Sequence, residues 1–450
     1  MIYCKRCLYP ANHPYGAILD SQGVCMGCRV HEEKDALDWN ERFGKLHSIV
    51  HENAKRVGRR GLDCIVPVTG AGDSYFIVHT VKNVLGMNPL LVSYNHEYNT
   101  RRGIRNLANL ATVFDCDLVQ STLAPPLMKR ITRHTLRKFG SMYWQVLAGT
   151  LTFPVQVAVR FRIPMIIWGV QPWSEQTGMY SHLDEVEMTE RCRKEHALMG
   201  YAAQDLIDSD AGIARADVQP WIYPFDNEIE QVGVRGIYLS NYVRWDSKAQ
   251  HERMIDAYGY ESAPQQRTFN TYEDVHCFHS AGLHDYLKFL KLGYGKVTDH
   301  ACREIRLRRM TREQGIEQVQ RYAEIKPADL GLFLDWVEMD EAAFWNCVID
   351  RRDPRIWARG QDGEWTLGDS VTRHADDAGI DEVRLSLRET RCEFRVTPSA
   401  EPHALEDSYL LMGRTYMDRR DYGALDTQPQ GGGLTPRTWV PKNIRPSPAR

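Results

Sequence analysis

The sequence predicts an α/β protein with a doubly wound parallel sheet, a cysteine-rich N-terminal unit and a helical C-terminal part. Over residues 63–168, short apolar runs alternate with segments of helical periodicity, which is the pattern of β-α-β units. Two CxxC pairs lie near the N-terminus, and helix start and stop signals crowd residues 284–315. A chain of 450 residues is long enough to bury one large core or a few smaller ones.

The two CxxC pairs predict a metal site of the zinc-ribbon type. Seventeen residues separate the pairs, and Pro10, Pro14 and Gly16 between them suit a short hairpin. This spacing is typical of a closed tetrahedral four-thiolate zinc site, whose role is structural because no coordination position stays open. His13 and His31 lie nearby and are interpreted as bystanders. The predicted ligands are Cys4, Cys7, Cys25 and Cys28.

Four strands and three helical segments make up the predicted β/α alternation. Each strand is a short and nearly continuous apolar run, as expected for a parallel sheet covered on both faces. The predicted strands are 63–68, 90–94, 118–120 and 164–168. The predicted helical segments are 75–85, 100–112 and the long region 127–161, and a charged helical connector at 30–57 precedes the first strand.

The segments that follow three of these strands are the expected ligand site. Ligands of open parallel sheets bind outside the carboxyl ends of the strands. Residues 69–74, 95–99 and 169–175 each follow a predicted strand. We therefore expect these three segments to surround one crevice.

The turn after the first strand is the most informative motif. In PVTGAGDS, small residues stand where a strand gives way to a helix, so that consecutive backbone N–H groups form an anion site. This turn matches neither the Walker motif nor GxGxxG. It resembles the SGGxDS pyrophosphatase loop (PP-loop) of ATP-cleaving ligases and amidotransferases. Thr69 replaces the Ser, Gly70 matches the first Gly, Ala71 replaces the second and Gly72 fills the variable position. An ordinary β-to-α turn is the alternative.

Side chains beside this turn suit a magnesium nucleotide. Asp73 is a candidate Mg²⁺ ligand, since Mg²⁺ prefers carboxylate and phosphate oxygens, and it also suits the N-cap of the next helix. Ser74 is a candidate hydrogen-bond donor to a phosphate oxygen. Tyr94 and Asn95 end the second strand and are expected to line the adenine or the ribose.

Three more residues complete the predicted crevice. Val68 ends the first predicted strand and Gly169 follows the fourth, both beside the expected nucleotide. Glu175, in WGVQPWSE, is a candidate to bind metal or substrate and is assigned with Asp73 to the catalytic set.

The downstream segment KLGYGKVTDHACREIR predicts a lysine that reaches a phosphate. A short helix is expected to end at Gly293, and Thr298 is expected to cap the next one. Lys296 is then presented from a glycine-flanked loop just before a helix N-terminus. Thr311 and Gln314 form a predicted capping box for the following helix. A surface loop with a solvated lysine is the alternative.

Charge and hydropathy exclude some functional classes. The 56 basic and 59 acidic residues give a net charge of −3, so no overall field favours a nucleic acid partner. The longest apolar run, near 163–170, is too short to cross a bilayer, and the first residues lack the apolar core of a secretory signal. We expect a cytoplasmic protein whose cysteines are thiols or metal ligands.

Composition shifts predict five units along the chain. GGG and five prolines among the last 25 residues are typical of a flexible tail. The predicted units are the ribbon 1–35, the nucleotide-binding α/β domain 36–225, a mostly helical substrate-closing region 226–349, a small appended unit 350–425 and the tail 426–450.

Taken together, the motifs resemble those of a known enzyme family. The motifs are the CxxC pairs, PVTGAGDS, WGVQPWSE, KLGYGKVTDHACREIR and MTREQGIEQV. Over about 3–348, their combination is similar to the pattern of the N-acetyl sugar amidotransferases of bacterial surface-polysaccharide (LPS O-antigen) biosynthesis. Members are similar in fold to the PP-loop ATP pyrophosphatases, which are adenine nucleotide alpha hydrolase-like. They use ATP and ammonia to convert a sugar acetamido group to an acetamidino group. The resemblance implies that 69–74 bind ATP, that Lys296 and Asp299 belong to the active site, and that the substrate is a nucleotide-linked or free N-acetylated sugar.

The expected reaction explains the expected cofactors, which are ATP, Mg²⁺ and Zn²⁺. Resonance makes an amide carbonyl a poor electrophile. Attack of the amide oxygen on the α-phosphorus of ATP gives an O-adenylyl imidate, from which ammonia displaces AMP. Mg²⁺, backbone N–H groups and Lys296 are the predicted means of neutralising phosphate charge.

The ammonia is expected to come from a partner. Ammonia is mostly protonated at neutral pH, and the cation is not a nucleophile. Zinc ligands occupy the start of the chain, and none of the other cysteines sits in a nucleophile-elbow turn. The resemblance points to a separate glutaminase similar to that of imidazole glycerol phosphate synthase, with or without its cyclase-like barrel as an ammonia conduit.

Two other functions stay open at this stage. Some tRNA-thiolating enzymes also join cysteine ribbons to a PP-loop, but they need a sulfur-carrying cysteine near the loop and a basic surface. A catalytically inactive scaffold is the second alternative, because Ala71 and Gly72 depart from the PP-loop pattern.

Overall fold

The computed structural model of the protein covers most of the chain. It describes residues 1–14, 16–57, 61–70, 73–96, 99–273, 280–377 and 392–395. Ala71 and Gly72 of the predicted loop lie outside the described residues, as do most of the appended unit and the whole predicted tail at 426–450.

The centre of the fold is a five-stranded parallel sheet in the order β3-β2-β1-β4-β5. Its strands are β1 (Cys64–Pro67), β2 (Pro89–Tyr94), β3 (Leu118–Ser121), β4 (Met165–Trp168) and β5 (Arg235–Tyr238). The first four confirm the predicted strands to within one residue at each end. β5 was not predicted, because a four-residue strand that contains a glycine and an exposed arginine leaves too short an apolar run to stand out.

Helices cover both faces of this sheet. In the α/β part they are α1 (Met26–Ala36), α2 (Trp39–Val57), α3 (Ser74–His79, continued by a π-helical turn at Thr80–Val84), α4 (Arg101–Val113), α5 (Pro125–Phe139), α6 (Trp144–Phe161), α7 (Pro172–Thr177), α8 (Asp226–Val232) and α9 (Ser247–Tyr258). Alternate strand residues point to opposite faces: Ile65 packs with Val155 of α6, whereas Val66 packs with Val78 of α3. This arrangement confirms the predicted α/β fold with helices on both faces of a parallel sheet.

Two predicted helical segments are each divided into two helices. The region 127–161 forms α5 and α6, because Gly140 adopts the left-handed conformation (φ +64°) that ends α5. A Cβ atom at Gly140 would lie 2.3 Å from Cδ of Arg351, so only glycine fits there. The connector 30–57 is likewise divided into α1 and α2, with Leu37 as the C-cap of α1.

The C-terminal part is helical, as predicted. Its elements are α10 (Ala281–Leu292), α11 (Lys296–Arg306), α12 (Arg312–Tyr322), α13 (Leu330–Val337), α14 (Glu341–Asn346) and a hairpin of β6 (Trp357–Arg359) and β7 (Trp365–Leu367). Gly293 ends α10, and Thr311 and Gln314 form the expected capping box of α12. Among the described helices, none combines the length and the apolar character needed to cross a membrane.

The prediction that Thr298 caps a helix was wrong. α11 begins at Lys296, with Gly295 as its N-cap. The backbone N–H of Lys296 donates to Oδ1 of Asp285 at 2.6 Å, which satisfies a first-turn amide without Thr298. Lys296 is therefore the first residue of the helix and not part of the preceding loop.

The N-terminal unit packs against helices that are distant in sequence. Antiparallel bridges join Tyr3 to Pro10 and Leu19 to Cys25. Leu8 and Tyr9 are buried in the same cluster as Val297 and Ile305 of α11. Helix α1 begins within the second CxxC pair and packs against α7 and α11, so the cysteine-rich unit borders the site described next.

Candidate functional site

A cavity of about 250 Å³, which we call the strand-end cavity, lies between α4 and strands β2 and β3. Four of the predicted nucleotide-binding residues line it: Thr69, Gly70, Tyr94 and Asn95. The Oγ atom of Ser74 accepts the N–H of Thr69 at 3.0 Å, which ties the start of the turn to α3. The structure therefore gathers the described part of the predicted turn and the end of β2 around one space.

Gly70 approaches α4 so closely that no side chain fits. A Cβ atom at Gly70 would lie 1.9 Å from the carbonyl oxygen of Gly103. The N–H of Gly103 in turn donates to Oγ1 of Thr100, the N-cap of α4, at 3.0 Å. This glycine lets the turn and the helix meet at the edge of the strand-end cavity.

Val68 and Gly169 lie behind the cavities rather than in their walls. The N–H of Val68 donates to the carbonyl of Val92 at 2.9 Å, which continues the ladder beyond β1. A Cβ atom at Gly169 would lie 2.6 Å from Cδ1 of Ile77, so Gly169 permits close packing of α3 against the end of β4. Both residues shape the crevice from beneath.

A second space of about 420 Å³, the central cavity, opens beyond the ends of β1 and β4. The connections from these neighbouring strands run to opposite sides of the sheet, so this is the point where open α/β sheets bind ligands. All four residues predicted as catalytic line this cavity: Asp73, Glu175, Lys296 and Asp299. The structure brings them together from the N-cap of α3, from α7 and from the first turn of α11. Their catalytic roles stay predictions.

Asp73 is a buried carboxylate with an unsatisfied oxygen. It stands at the N-cap position of α3 but makes no side-chain capping hydrogen bond. Its Oδ1 atom has no hydrogen-bond partner among the described residues, and Nδ1 of His251 lies 3.7 Å away. Burial raises the pKa of Asp73 to about 6, partly opposed by His251. A buried carboxylate oxygen with open coordination is chemically suited to Mg²⁺, which takes one or two carboxylates together with phosphate oxygens.

Glu175 is held by a lysine from α1. Nζ of Lys34 lies 2.7 Å from Oε2 and 2.6 Å from Oε1 of Glu175, and it also donates to the carbonyl of Trp245 at 3.2 Å. The Lys34 side chain is 1% exposed. Burial lowers the pKa of Lys34, and Glu175 opposes that shift by stabilising the ammonium. The ion pair fixes the carboxylate of Glu175 at one wall of the central cavity.

Asp299 is held ionised by two partners from different parts of the chain. The hydroxyl of Tyr9 donates to its Oδ1 at 2.6 Å, and Nζ of Lys288 lies 2.5 Å from its Oδ2. Burial alone would raise the pKa of Asp299, but Lys288 and Tyr9 together lower it. Tyr9 belongs to the cysteine-rich unit, which therefore contributes a side chain to the central cavity.

Arg303 adds a second half-buried cation beside Lys296. The carboxylate of Glu273 contacts the guanidinium of Arg303. It also contacts Nε2 of His300, at 2.8 Å. Burial alone would raise the pKa of Glu273, but Arg303 and His300 hold it well below its ordinary value. All three residues line the central cavity, so its far wall is a fixed array of charges.

The cysteine cluster forms the core of the N-terminal unit. The Sγ atoms of all four predicted ligands lie within 4.8 Å of one another, and all four residues are buried. The Sγ atoms of Cys7 and Cys25 are 3.6 Å apart, close to the roughly 3.8 Å expected between sulfurs bound to a tetrahedral Zn²⁺ at about 2.3 Å. Sγ of Cys4 accepts the N–H groups of Cys7 and Cys25. The donor set and the geometry fit Zn²⁺, and neither His13 nor His31 belongs to the cluster.

Arg306 connects the cysteine cluster to the central cavity. Its guanidinium lies 3.5 Å from Sγ of Cys25 and donates to the carbonyls of Glu175 and Gln176 at 2.7 and 2.9 Å. Burial alone would lower the pKa of Arg306, but the surrounding thiols raise it well above its ordinary value. Four thiolates around one Zn²⁺ would leave a net negative charge, which this buried cation would offset.

One segment of the chain is similar to a known protein family. Residues 266–372 match the family model for the C-terminal domain of WbpG-like LPS biosynthesis proteins. The match spans under a quarter of the 450 residues and connects this segment with lipopolysaccharide biosynthesis. A comparison of the chain with curated proteins finds no match.

The WbpG-like segment forms one wall of the central cavity. Its helices α10 and α11 bring a set of charged side chains to that wall, namely Asp285, Lys288, Lys296, Asp299, His300, Arg303 and Arg306. The opposite wall, with Asp73 and Glu175, belongs to the α/β part outside the matched residues. The site therefore depends on both parts of the fold.

Sequence reasoning missed several residues of this site. His300 and Arg303 were missed, although they follow the predicted Lys296 at i+4 and i+7 on α11, and this spacing was a usable signal that the three share a helix face. No comparable local pattern marks Tyr9 or Lys34, whose partners lie 290 and 141 residues away. These two contacts appear only when the chain is folded.

Proposed function

We propose that this chain is an ATP-dependent amidotransferase that converts the acetamido group of an N-acetylated, nucleotide-linked or free sugar to an acetamidino group. The convergence of Asp73, Glu175, Lys296 and Asp299 on one cavity at the carboxyl edge of the sheet supports the proposal. A parallel sheet, a PP-loop-like turn and a WbpG-like segment in one chain support it further.

ATP is proposed to bind across the two cavities. The strand-end cavity, between Tyr94, Asn95 and α4, suits the nucleoside, and the turn at Thr69 and Gly70 suits the phosphates. Asp73 would hold Mg²⁺ through its unsatisfied Oδ1 atom. Bound there, Mg²⁺ would neutralise charge on the phosphate oxygens. This arrangement is that of the PP-loop ATP pyrophosphatases, which the turn resembles.

The first chemical step activates the amide. Its carbonyl oxygen attacks the α-phosphorus of ATP, an O–P bond forms, and the bond to the leaving pyrophosphate breaks. Lys296 and Arg303 would provide positive charge in the central cavity for the phosphates. The product of this step is an O-adenylyl imidate, in which AMP has become a leaving group.

The second step replaces oxygen by nitrogen. Ammonia adds to the imidate carbon, the C–O bond to AMP breaks, and the original carbonyl oxygen leaves on AMP. One proton is released as the amidinium forms, and we assign its acceptance to the carboxylate of Asp299, which Lys288 and Tyr9 hold ionised. The sum is amide, ATP and ammonia giving amidine, AMP and pyrophosphate.

We also propose the setting of this reaction. The similarity of residues 266–372 to WbpG-like proteins favours lipopolysaccharide biosynthesis, which uses nucleotide-linked sugars made in the cytoplasm. Ammonia would be supplied by a separate glutaminase subunit, with or without a barrel-shaped partner. The cysteine cluster would bind one structural Zn²⁺.

The decisive experiment is a product assay on the purified chain. With Mg-ATP, ammonium chloride and a panel of UDP-linked N-acetyl sugars, mass spectrometry should detect replacement of O by NH in one sugar, with AMP and pyrophosphate in equal amounts. Asp73→Asn and Lys296→Met should each lower kcat/KM by about 100-fold or more. Release of ADP, or AMP formation without any change in the sugars, would contradict the proposal.

The supply of ammonia needs its own test. Co-expression with a candidate glutaminase, followed by gel filtration, should give a complex that uses glutamine. Full glutamine-driven turnover by this chain alone would refute the separate partner.

The tRNA-thiolating alternative receives less support from the described residues. Cations of the basic helix α5 are paired within the chain, Arg130 with Asp217 at 2.8 Å and Lys129 with Glu338 at 2.9 Å. The cysteines nearest the N-terminus belong to the buried four-thiol cluster. Transfer of sulfur to tRNA in the same assay would favour this alternative. Failure to bind Mg-ATP by calorimetry would favour an inactive scaffold.

A further inference from the structure

A third space, the side cavity, lies behind Lys296. It has a volume of about 240 Å³ and opens between the segment 264–268, the start of α10 and the loop before α13. This volume is close to that of the strand-end cavity, to which only the nucleoside part of ATP is assigned. The side cavity is thus too small for a nucleotide sugar but large enough for a much smaller reactant.

The partition between the side cavity and the central cavity is thin. Asp285 and Lys296 line both spaces. Thr268 lines the side cavity and contacts Nδ1 of His300, a central-cavity residue, through its Oγ1 at 2.7 Å. The two spaces are therefore separated by a single layer of side chains.

The backbone around the partition is firmly held. Asp285 accepts hydrogen bonds from Nε of Arg267 at 2.7 Å and from the N–H of Lys296. A Cβ atom at Gly295 would lie 2.8 Å from Oδ1 of Asp285, so a side chain there would force the partition apart. With Asp285 fixed, the side chain of Lys296 completes the wall between the two cavities.

Asp329 adds a carboxylate to the lining of the side cavity. Its Oδ1 atom has no hydrogen-bond partner among the described residues. Burial raises the pKa of this carboxyl to about 6. Two carboxylates, Asp285 and Asp329, and two cations, Arg267 and Lys296, balance one another in the lining, which suits a small polar reactant more than an anion.

We infer that the side cavity is the inlet through which ammonia reaches the central cavity, passing Lys296 from the face of α10 and α13. The inference rests on the proposed amidotransferase function. ATP and the sugar would lie on one side of α11, and ammonia would enter from the other side. Ammonia would then arrive behind the activated amide without crossing the space filled by the nucleotide sugar. It also places the docking face of an ammonia-supplying partner at the mouth of this cavity.

Gly282 offers a way to fill the inlet without disturbing the fold. It is the second residue of α10 and lines the side cavity, and an added Cβ atom would meet only ordinary contacts, at 3.6 Å from Cβ of Pro327 and 3.7 Å from Oδ1 of Asp329. Gly331 is the matched control, because it is the second residue of α13 and an added Cβ atom there meets nothing within 4 Å. Both replacements by leucine also favour a helix.

The test uses the full chain and the UDP-linked N-acetyl sugar that gives turnover. Gly282→Leu should raise the KM for ammonium about fivefold or more, while sugar-dependent exchange of pyrophosphate into ATP stays at the wild-type rate. Gly331→Leu should change neither quantity. Ala328→Trp, which blocks the mouth from an exposed loop position, should repeat the effect if Gly282→Leu fails to fold.

The outcomes separate this inference from the function on which it rests. Normal pyrophosphate exchange with an unchanged ammonium KM in the filled variants would overturn the inlet and leave the amidotransferase intact. An equal loss of exchange and of ammonium use would also overturn it, because the cavity would then serve the whole site. No exchange by the wild-type chain with any sugar would overturn the proposed function itself.

Discussion

Nζ of Lys34 lies 2.7 Å from Oε2 of Glu175, and this contact joins α1, which begins within the second CxxC pair, to α7 beyond β4. Arg306 makes a parallel connection, from Sγ of Cys25 to the carbonyl of Glu175. The cysteine-rich unit is therefore built into the wall of the central cavity. A structural metal there would position cavity residues as well as hold the N-terminal unit.

Lys34→Met should destabilise the protein strongly. The substitution leaves the carboxylate of Glu175, whose side chain is 13% exposed, without its cation, and breaking such a buried pair costs about 3–5 kcal/mol. Urea denaturation at pH 7 measures the loss. Adding Glu175→Gln should recover part of it, because a neutral amide needs no counter-charge.

The matched control for that experiment is Lys45→Met. Lys45 also pairs with a glutamate, Glu185 at 3.0 Å, but its side chain is 49% exposed, so the loss should be much smaller. Equal losses for the two lysines would contradict the importance of the buried pair.

Asp73→Asn should stabilise the unliganded protein at neutral pH. The folded-state pKa of about 6 is above the ordinary 3.8, so ionised Asp73 costs up to about 3 kcal/mol when the pH exceeds 6. This cost is absent below the ordinary pKa and grows as the pH rises to about 6. The stability gain from Asp73→Asn should therefore be full at pH 7 and should vanish near pH 4.

Asp73→Asn should also remove Mg-ATP binding, because the site loses the carboxylate proposed to bind Mg²⁺. Denaturation curves at several pH values and calorimetry measure the two effects. Asp376→Asn, at an exposed carboxylate, should alter neither. A pH-independent stability change at residue 73 would show that burial does not perturb this carboxyl.

The cysteine cluster should hold one zinc ion per chain. Cys25→Ser removes one of four thiolates, so dialysis against EDTA should strip the metal from the variant and leave the wild type loaded. Elemental analysis measures the zinc content. Cys116→Ser, at a half-buried cysteine outside the cluster, should keep the ion. Full zinc retention by Cys25→Ser would contradict the assignment.

Gly70→Ala should abolish ATP binding. The new methyl group would lie 1.9 Å from the carbonyl oxygen of Gly103, so the turn or α4 must shift. Calorimetric titration with Mg-ATP should show at least about a 100-fold weaker Kd, which corresponds to about 2.7 kcal/mol. Gly44→Ala is the control, since Gly44 is exposed within α2 with open space around it.

Gly44→Ala should gain about 0.5–1 kcal/mol of stability, because alanine is more favourable than glycine in a helix interior. Its affinity for Mg-ATP should not change. Wild-type affinity in Gly70→Ala would show that the turn does not contact the nucleotide.

Features fixed by short-range patterns were predictable from the sequence. The apolar runs of β1 to β4 were predicted to within one residue at each end, because a strand buried on both faces must be apolar along its length. The four cysteines were predictable because CxxC spacing alone brings two thiolates to one ion. Asp73 and Glu175 were predicted from two separate motifs, and Lys296 and Asp299 from one downstream motif and the family resemblance. Their catalytic roles stay predictions.

Boundaries that depend on distant partners were not predictable. α11 starts at Lys296 because the Asp285 carboxylate accepts its N–H, so the expected cap at Thr298 is not used. β5 is a strand because β4 offers it an edge, although its own sequence is weakly strand-like.

The sequence by itself determined the parallel sheet, the four-thiolate cluster and the kinds of side chain available for chemistry, since these follow from residue spacing over a few turns or strands. Only the tertiary structure decided that Tyr9 and Lys34 of the N-terminal region hold Asp299 and Glu175, and that Lys296 stands between two cavities. The physical reason is that burial, ion pairing and cavity walls are made by atoms far apart in the chain, whose proximity no local pattern encodes.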